Sequence, residues 1–236
     1  MDEATAFVKI GRATLFRGDC YKLLRELGRF DALVTDPPYI IRTSGGGHFR
    51  KARGHTAQIA AEGLDQGFDL SIINPLQFGT AVAFCHNDQL ADLLPHLRGC
   101  YERQVVCFWR KTNPMPVANK HYQPDSEIWV HAWSGDYFPR GDLADKKRVW
   151  EGAAGRRAEF GHPTVKPLDL MRKIVRNTAG DSICDPFMGT GTTGVAAIEA
   201  GRSFIGIEHN PVHWQTAVDR ITQAVEKAQV HAMQEA

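Results

Sequence analysis

Short apolar runs alternate with amphipathic segments along most of the chain. The runs predict buried strands at about residues 32–34, 80–85, 104–109, 127–133, 182–184 and 203–208. Segments with apolar residues at helical spacing predict helices at about residues 21–27, 88–97, 195–200 and 212–229, with another inside 163–179. A further helix is predicted at 68–78, interrupted at Asn74-Pro75. Because strands and helices alternate, we expect an α/β fold, a mostly parallel twisted sheet with helices on both faces.

The composition is that of an ordinary globular protein. The 236 residues are 43% hydrophobic and 23% charged, so we expect a single domain over residues 1–236. The net charge of +1 limits any nucleic-acid surface to a local patch. The chain contains no run of eighteen apolar residues, so we expect no membrane span. The polar start Met1–Ala4 is not typical of a signal peptide. Because Cys85, Cys107 and Cys184 lie in apolar runs, we expect buried, reduced thiols and a cytoplasmic location.

The loop Asp36-Pro37-Pro38-Tyr39 is the first candidate site. It follows the apolar run 32–34, and its two prolines, which have no backbone N–H, end that strand. We therefore expect the loop at the carboxyl edge of the sheet, where ligands bind in open α/β folds. A fixed carboxylate, fixed carbonyls and an aromatic ring suit a planar base with an exocyclic amine. A simple turn with a packing tyrosine is the alternative interpretation at this point.

A second candidate site lies nearer the C-terminus. The stretch Gly189-Thr190-Gly191-Thr192-Thr193-Gly194 stands between a predicted strand and a predicted helix, where backbone N–H groups attract a negative group. Glu208 ends the next predicted strand, where a carboxylate can accept hydrogen bonds from ribose hydroxyls. The pattern predicts a nucleoside-binding site. Taken alone, it also fits a dinucleotide site or a tight helix-packing turn.

Together the two sites resemble those of the S-adenosylmethionine-dependent DNA amino-methyltransferases, which methylate adenine N6 or cytosine N4. The catalytic loop comes first and the cofactor loop last, an order that is similar to the permuted β group of that family. The other matching stretches are Gly18-Asp19, Trp109-x-Lys111-x-Asn113-Pro114, His162-Pro163-Thr164-Val165-Lys166-Pro167, Asp185-Pro186-Phe187-Met188 and Gly206-Ile207-Glu208. The resemblance implies a Rossmann-like class I methyltransferase fold with a small inserted target-recognition region at about 111–160.

The resemblance also implies roles for the catalytic loop. Asp36 and the carbonyl of Pro37 would accept the two amine protons, Pro38 would stiffen the loop, and Tyr39 would stack on the base. In this family, Asp at the first position is more usual for adenine and Ser for cytosine. We therefore expect adenine N6 as the target, with cytosine N4 as the alternative.

The implied cofactor is S-adenosyl-L-methionine. Asp19 would lie near its adenine, Glu208 would hold the ribose hydroxyls, and Thr164 and Lys166 would be placed for its carboxylate. The remaining residues expected around the cofactor are His162, Asp185, Phe187, Gly189, Gly191, Thr192 and Thr193. His209 and His213 are four residues apart without a visible third ligand, so no metal is expected.

The implied substrate is double-stranded DNA, whose target base would have to be flipped out of the duplex. Phosphate contacts are expected from a mobile, glycine-rich and basic loop at about 41–67 and from other polar side chains. The candidates are Arg42, Arg50, Lys51, Arg53, Lys111, Asn113, Lys120, Lys146, Lys147 and Arg148.

The wider setting implied is DNA modification in a prokaryote or phage. A homodimer and a cognate restriction endonuclease in a separate chain are both compatible with it. The competing hypotheses are an RNA or protein N-methyltransferase, an inactive DNA-binding relative and a nicotinamide-dependent oxidoreductase. The oxidoreductase has no use for Asp36 to Tyr39, and the intact residues at both sites count against an inactive relative.

Overall fold

A computed structural model describes residues 6–39, 67–114, 122–154 and 165–234, and these residues form one nine-stranded sheet with five α-helices. The strands are β1 (Ala6–Ile10), β2 (Ala13–Arg17), β3 (Phe30–Thr35), β4 (Phe78–Cys85), β5 (Arg103–Lys111), β6 (Ser126–Trp133), β7 (Val149–Gly152), β8 (Ser182–Asp185) and β9 (Ser203–Glu208). The helices are α1 (Cys20–Glu26), α2 (Leu90–Cys100), α3 (Leu168–Asn177), α4 (Thr192–Glu199) and α5 (Pro211–Gln234). None of these helices is both long and apolar enough to cross a membrane.

The sheet is mostly parallel, as the sequence predicts. Its strand order is β1-β2-β9-β8-β3-β4-β6-β5-β7. The run from β2 to β4 is parallel throughout, and β5 pairs with β7 in parallel. Two strands run the other way: β1 pairs antiparallel with β2, and β6 pairs antiparallel with both β4 and β5. As a result, β6 begins at the edge of the sheet where its neighbours β4 and β5 end.

Alternate residues of the strands pack into two separate cores. Val34 of β3 faces the core formed with α3, α4 and α5, whereas Leu33 faces the core formed with α1 and α2. All eight residues of β4 are buried, as expected for a strand covered on both faces. The helices therefore lie on both faces of the sheet, and the loops lie at the ends of its strands.

Several local predictions are wrong. Residues 68–78 were predicted as a helix but form only a 3-10 turn at Leu70–Ile72, because the backbone at Asn74-Pro75 turns directly into β4. The predicted buried thiols are buried at Cys85 and Cys184, whereas Cys107 is only half-buried. Strands β1, β2 and β7 were not predicted. Residues 41–66 of the predicted mobile loop lie outside the described residues.

Candidate active site

The charged residues of both candidate sites gather at one edge of the sheet. Strands β2, β9, β8, β3, β4 and β5 end at this edge, and the antiparallel β6 begins there. The topology therefore brings together the following residues: Asp19, Asp36, Lys111, Glu127, Asp185 and Glu208.

A buried hydrogen-bond network connects the catalytic loop to the glycine turn. Thr35, the last residue of β3, donates to Asp185 Oδ1 at 2.8 Å, and Thr193 in α4 donates to Asp185 Oδ2 at 2.6 Å. The backbone N–H of Phe187 also donates to Asp185 Oδ1, at 3.1 Å. Burial raises the pKa of Asp185 to about 7, although the three hydrogen bonds favour its ionised form. A single carboxyl group thus holds the end of β3, directly before Asp36, against the start of α4, directly after the glycine turn.

Asp36 is held by two side chains. Tyr39 donates its hydroxyl to Asp36 Oδ1 at 2.8 Å, which bridges the catalytic loop internally. The ammonium of Lys166 lies 2.5 Å from Asp36 Oδ2 and 3.2 Å from Glu127 Oε2. Glu127 Oε1 pairs in turn with Lys111 at 2.8 Å. The four charged groups form a continuous chain that the sequence analysis did not anticipate.

The pKa values in this cluster follow from burial and from the neighbouring charges. Burial raises the pKa of Asp36, and the charge of Lys166 opposes that rise. Burial also acts on Glu127, but Lys166 and Lys111 outweigh it and lower the pKa of that carboxyl. Burial beside Asp36 raises the pKa of Tyr39 well above its ordinary value, so its hydroxyl stays protonated and donates to the carboxylate.

The glycine turn has the conformation that a close backbone approach requires. Gly189 and Gly191 have φ values of 52° and 81°, in the left-handed region that glycine adopts without steric cost. Glu208, 8% exposed, accepts from the backbone N–H of Gly189 at 3.0 Å and from that of Asn210 at 2.7 Å. Arg220 of α5 donates to the carbonyl of Thr190 at 2.6 Å. The turn is therefore fixed from two sides.

The other predicted cofactor residues are also at this edge. Asp19 caps α1 by accepting from the backbone N–H of Tyr21 at 2.8 Å. The ring of Phe187 packs edge-on against Tyr21 and Phe68. The hydroxyl of Thr192 accepts from Arg220 at 3.1 Å. Cofactor contacts of these residues stay predictions.

Lys166 has two carboxylate partners that were not predicted from the sequence. The sequence analysis placed it near the cofactor's carboxylate, whereas the structure pairs its ammonium with Asp36 and Glu127. Its side chain is only 6% exposed and lies over the rings of Tyr39 and Phe84. It is therefore a candidate member of the catalytic cluster, and a contact with the cofactor stays a prediction.

The predicted DNA contacts are divided between two ends of the sheet. Lys111 lies in the chain of charged groups that includes Glu127, Lys166 and Asp36. The amide of Asn113 is bonded to the backbone of Ala154. The segment 146–148 precedes β7, which runs parallel to β5, so it lies toward the opposite end of the sheet from Asp36. The remaining predicted site residues lie outside the described part of the chain: Arg42, Arg50, Lys51, Arg53, Lys120, His162 and Thr164.

Sequence reasoning missed three residues that organise the site. Glu127 stands in an alternating strand, where a charged residue usually indicates a solvent-facing position. Thr35 and Arg220 show no motif at all. Thr35 could have been suspected because it is a polar residue at the end of an apolar run, directly before Asp36.

Comparison with known proteins identifies the family. A family model described as DNA methylase, N6_N4_Mtase, matches residues 79–219. The chain belongs to the N6_N4_Mtase family of DNA methylases. The matched region contains the glycine turn, Glu127, Lys166 and Glu208, and Asp36 lies before it.

Two curated methylases are similar in sequence. Type II methyltransferase M2.DpnII of Streptococcus pneumoniae is 34% identical over 130 residues, which cover 48% of this chain and 48% of the relative. The alignment therefore spans about half the length of that methylase. Type II methyltransferase M2.LlaDCHI of Lactococcus lactis subsp. cremoris is 26% identical over 242 positions, covering 89% of this chain and 90% of the relative.

Solved structures share the fold. The M1.HpyAVI–SAM complex superposes with a TM-score of 0.66 at 24% identity, covering 89% of this chain and 98% of that one. The PvuII DNA methyltransferase, named as cytosine-N4-specific, superposes with a TM-score of 0.63 at 15% identity, covering 93% of each chain. These likenesses agree with the methyltransferase fold expected from the sequence.

Proposed function

We propose that this methylase transfers a methyl group from S-adenosyl-L-methionine to the exocyclic amine of a flipped-out base in double-stranded DNA, and that the base is adenine. The observation that carries the proposal is the shared carboxyl of Asp185. Through Thr35 and Thr193 it holds the catalytic loop and the glycine turn at one edge of the sheet. The complex of M1.HpyAVI with the same cofactor supports the choice of methyl donor.

The residues at the glycine turn fit this cofactor. Each carboxylate oxygen has two acceptor positions, and each oxygen of Glu208 accepts one backbone N–H, from Gly189 or from Asn210. One position on Oε2 is therefore left for a ribose hydroxyl, whereas Oε1 also has His209 Nδ1 at 3.3 Å. Asp19 offers a carboxylate to an adenine amine, and the glycines leave room for the backbone to contact the ligand. When bound, the cofactor supplies a methyl carbon activated by the positive charge of its sulfur.

The role of the catalytic loop is to prepare the nitrogen of the target base. An aromatic amine is a weak nucleophile because its lone pair is delocalised into the ring. Asp36 and the carbonyl of Pro37 accept its two hydrogens, which favours a tetrahedral nitrogen and stabilises the positive charge that develops there. The proton then leaves to Asp36, whose pKa is raised by burial. Tyr39 stacks on the base, a contact worth about 1–3 kcal/mol.

Nucleoside analysis of methylated DNA tests the proposal. The purified protein, incubated with unmethylated plasmid DNA and methyl-labelled cofactor, should give N6-methyl-2′-deoxyadenosine after digestion to nucleosides. Label in N4-methyl-2′-deoxycytidine would retain the enzyme class and make cytosine the target base. The Asp at position 36 would then not distinguish adenine from cytosine. Absence of label in any DNA nucleoside, with label in RNA or protein, would overturn the proposed substrate.

A further inference from the structure

Each carboxylate oxygen of Asp36 already has one partner in the free protein, which leaves one acceptor position on each. Tyr39 donates to Oδ1, and the Lys166 ammonium lies 2.5 Å from Oδ2. The proposed mechanism needs one of these oxygens as the acceptor for a base amine. The Lys166 ammonium takes one of the two positions on Oδ2 and, by neutralising charge there, weakens the carboxylate as an acceptor for that amine.

Lys166 has a second partner within reach. Its ammonium lies 3.2 Å from Glu127 Oε2, so a small displacement exchanges one carboxylate for the other. The Lys166 side chain is 6% exposed, and a buried ammonium that lost Asp36 without gaining another anion would be strongly destabilised. Glu127 supplies that second anion, so the Lys166 ammonium stays paired when it leaves Asp36. Glu127 is itself paired with Lys111 at 2.8 Å.

We propose that Glu127 is a positioning residue that shares Lys166 with Asp36 and takes it over when the target amine reaches Asp36 Oδ2. This inference rests on the proposed function. In the free protein Lys166 takes up one acceptor position on Asp36 Oδ2. When the amine arrives, the ammonium moves to Glu127, and two lysines still face two carboxylates. The buried charge is therefore unchanged, while both positions on Oδ2 and the full charge of the carboxylate become available to the amine.

The charged and titratable groups around Asp36 come from several elements. Lys166 precedes α3, Glu127 and Lys111 stand on β6 and β5, and Tyr39 lies in the same loop. Asp185 of β8 and Cys85 of β4 are also close enough for the charge of Asp36 to raise their pKa values. Among these groups, Lys166 lowers the pKa of Asp36 and Glu127 raises it. Removal of Lys166 should therefore raise the pKa of Asp36, and removal of Glu127 should lower it.

The first test needs neither cofactor nor DNA. Carboxyl ¹³C NMR would follow the titration of Asp36 in the wild type and in variants. In Glu127→Gln the pKa of Asp36 should fall by on the order of 1 unit, and in Lys166→Met it should rise by about 1–3 units. Glu151→Gln is the matched control, because it breaks the exposed Arg110 pair on the neighbouring strands and should leave Asp36 unchanged. An unchanged or raised pKa in Glu127→Gln would overturn the sharing of Lys166.

The second test is kinetic and separates sharing from simple structural support. Glu127→Gln should lower kcat by on the order of 10- to 100-fold, because Lys166 stays on Asp36, while the cofactor Kd stays at the wild-type value. Glu127→Asp should recover part of the rate. The double variant Glu127→Gln/Lys166→Met should be faster than Glu127→Gln alone, because no ammonium then takes up a position on Asp36 Oδ2. A double variant no faster than the single one would overturn the proposal.

The two tests also separate this inference from the proposed function. A wild-type protein that methylates no nucleic acid would refute the proposed function, whereas the NMR titration would still report whether Glu127 shares Lys166. If Glu127→Gln does not fold, Lys111→Met replaces it in the titration. Loss of Lys111 should strengthen the hold of Glu127 on Lys166 and raise the pKa of Asp36, and an unchanged pKa would overturn the inference.

Discussion

The hydrogen bond between Thr35 and Asp185 is the contact that most directly connects the loop at Asp36 with the glycine turn. Replacing Thr35 by valine keeps the shape of the side chain and removes its hydroxyl. The hydroxyl lies 2.8 Å from Asp185 Oδ1, and the two residues are 0% and 2% exposed. Water therefore cannot easily replace the lost donor.

The expected loss can be estimated from the charge on the acceptor. At pH 8, above the pKa of about 7, Asp185 is ionised. A hydrogen bond to a charged group contributes about 1.5–3 kcal/mol, so Thr35→Val should lower the free energy of unfolding by that amount. For a chain of this size the melting temperature should fall by roughly 3–12 °C. Because the same carboxyl holds the cofactor helix, the cofactor Kd should rise by about 3- to 10-fold.

Urea unfolding and titration calorimetry at pH 8 would measure both effects. Thr80→Val is the matched control. Thr80 is also fully buried; its hydroxyl lies 2.9 Å from the neutral carbonyl of Ala132 and 2.9 Å from Nε2 of the buried His131, toward the other end of the sheet. The control should lose about 1–3 kcal/mol of stability, because two buried partners lose the hydroxyl, and it should keep the wild-type cofactor Kd. A Thr35→Val variant with wild-type stability and cofactor affinity would refute the reasoning.

Three further changes have defined outcomes. Gly206→Ala places a Cβ atom 2.2 Å from the sulfur of Met188, so it should lower the free energy of unfolding in urea by about 1–3 kcal/mol. In the control Gly28→Ala the Cβ atom meets no described atom within 4 Å, so the free energy of unfolding should stay within about 0.5 kcal/mol of wild type. Arg220→Met removes the guanidinium bonded to the glycine turn and should raise the cofactor Kd by about 3- to 10-fold in calorimetry, with Arg220→Lys in between. The raised pKa of Asp185 means that the folded protein retains a proton there which the unfolded chain releases near pH 4. This stabilising contribution is complete below about pH 4 and is lost by about pH 7. The free energy of unfolding of the wild type, relative to that of Asp185→Asn, should therefore fall by roughly 4 kcal/mol between about pH 4 and about pH 7. A difference between the two proteins that does not change with pH would contradict the raised pKa of Asp185.

The sequence was informative wherever a motif and a buried strand occur together. The loop at Asp36 and the turn at Gly189 each follow an apolar run, so their positions at strand ends could be predicted. The predicted strand at 203–208 has the bounds seen in the structure. Such runs are readable because a parallel strand covered on both faces must be apolar throughout.

The edge strands could not be recognised by the same rule. Strands β1 and β2 are five residues each and partly exposed, so their apolar pattern is weak. One signal was available: the two-residue connection begins with Gly11, whose φ is 56°, a typical hairpin arrangement. Strand β7 lies in a polar stretch and has no comparable signal.

The charge chain behind Asp36 depends on strand direction. Glu127 reaches the site only because β6 is antiparallel and begins at the edge where β5 ends. The sequence predicts a strand there but not its direction. For the same reason, the contact of Lys166 with Asp36, 130 positions apart, could not be predicted from a local motif.

The most direct test of the central claim is methyl transfer by Asp36→Asn compared with the wild type. Both proteins would be assayed with methyl-labelled cofactor and plasmid DNA, and cofactor Kd values would be measured on the same preparations. We predict that the variant binds the cofactor with wild-type affinity and transfers methyl groups at least about 100-fold more slowly. A variant that transfers methyl groups at the wild-type rate would contradict the account.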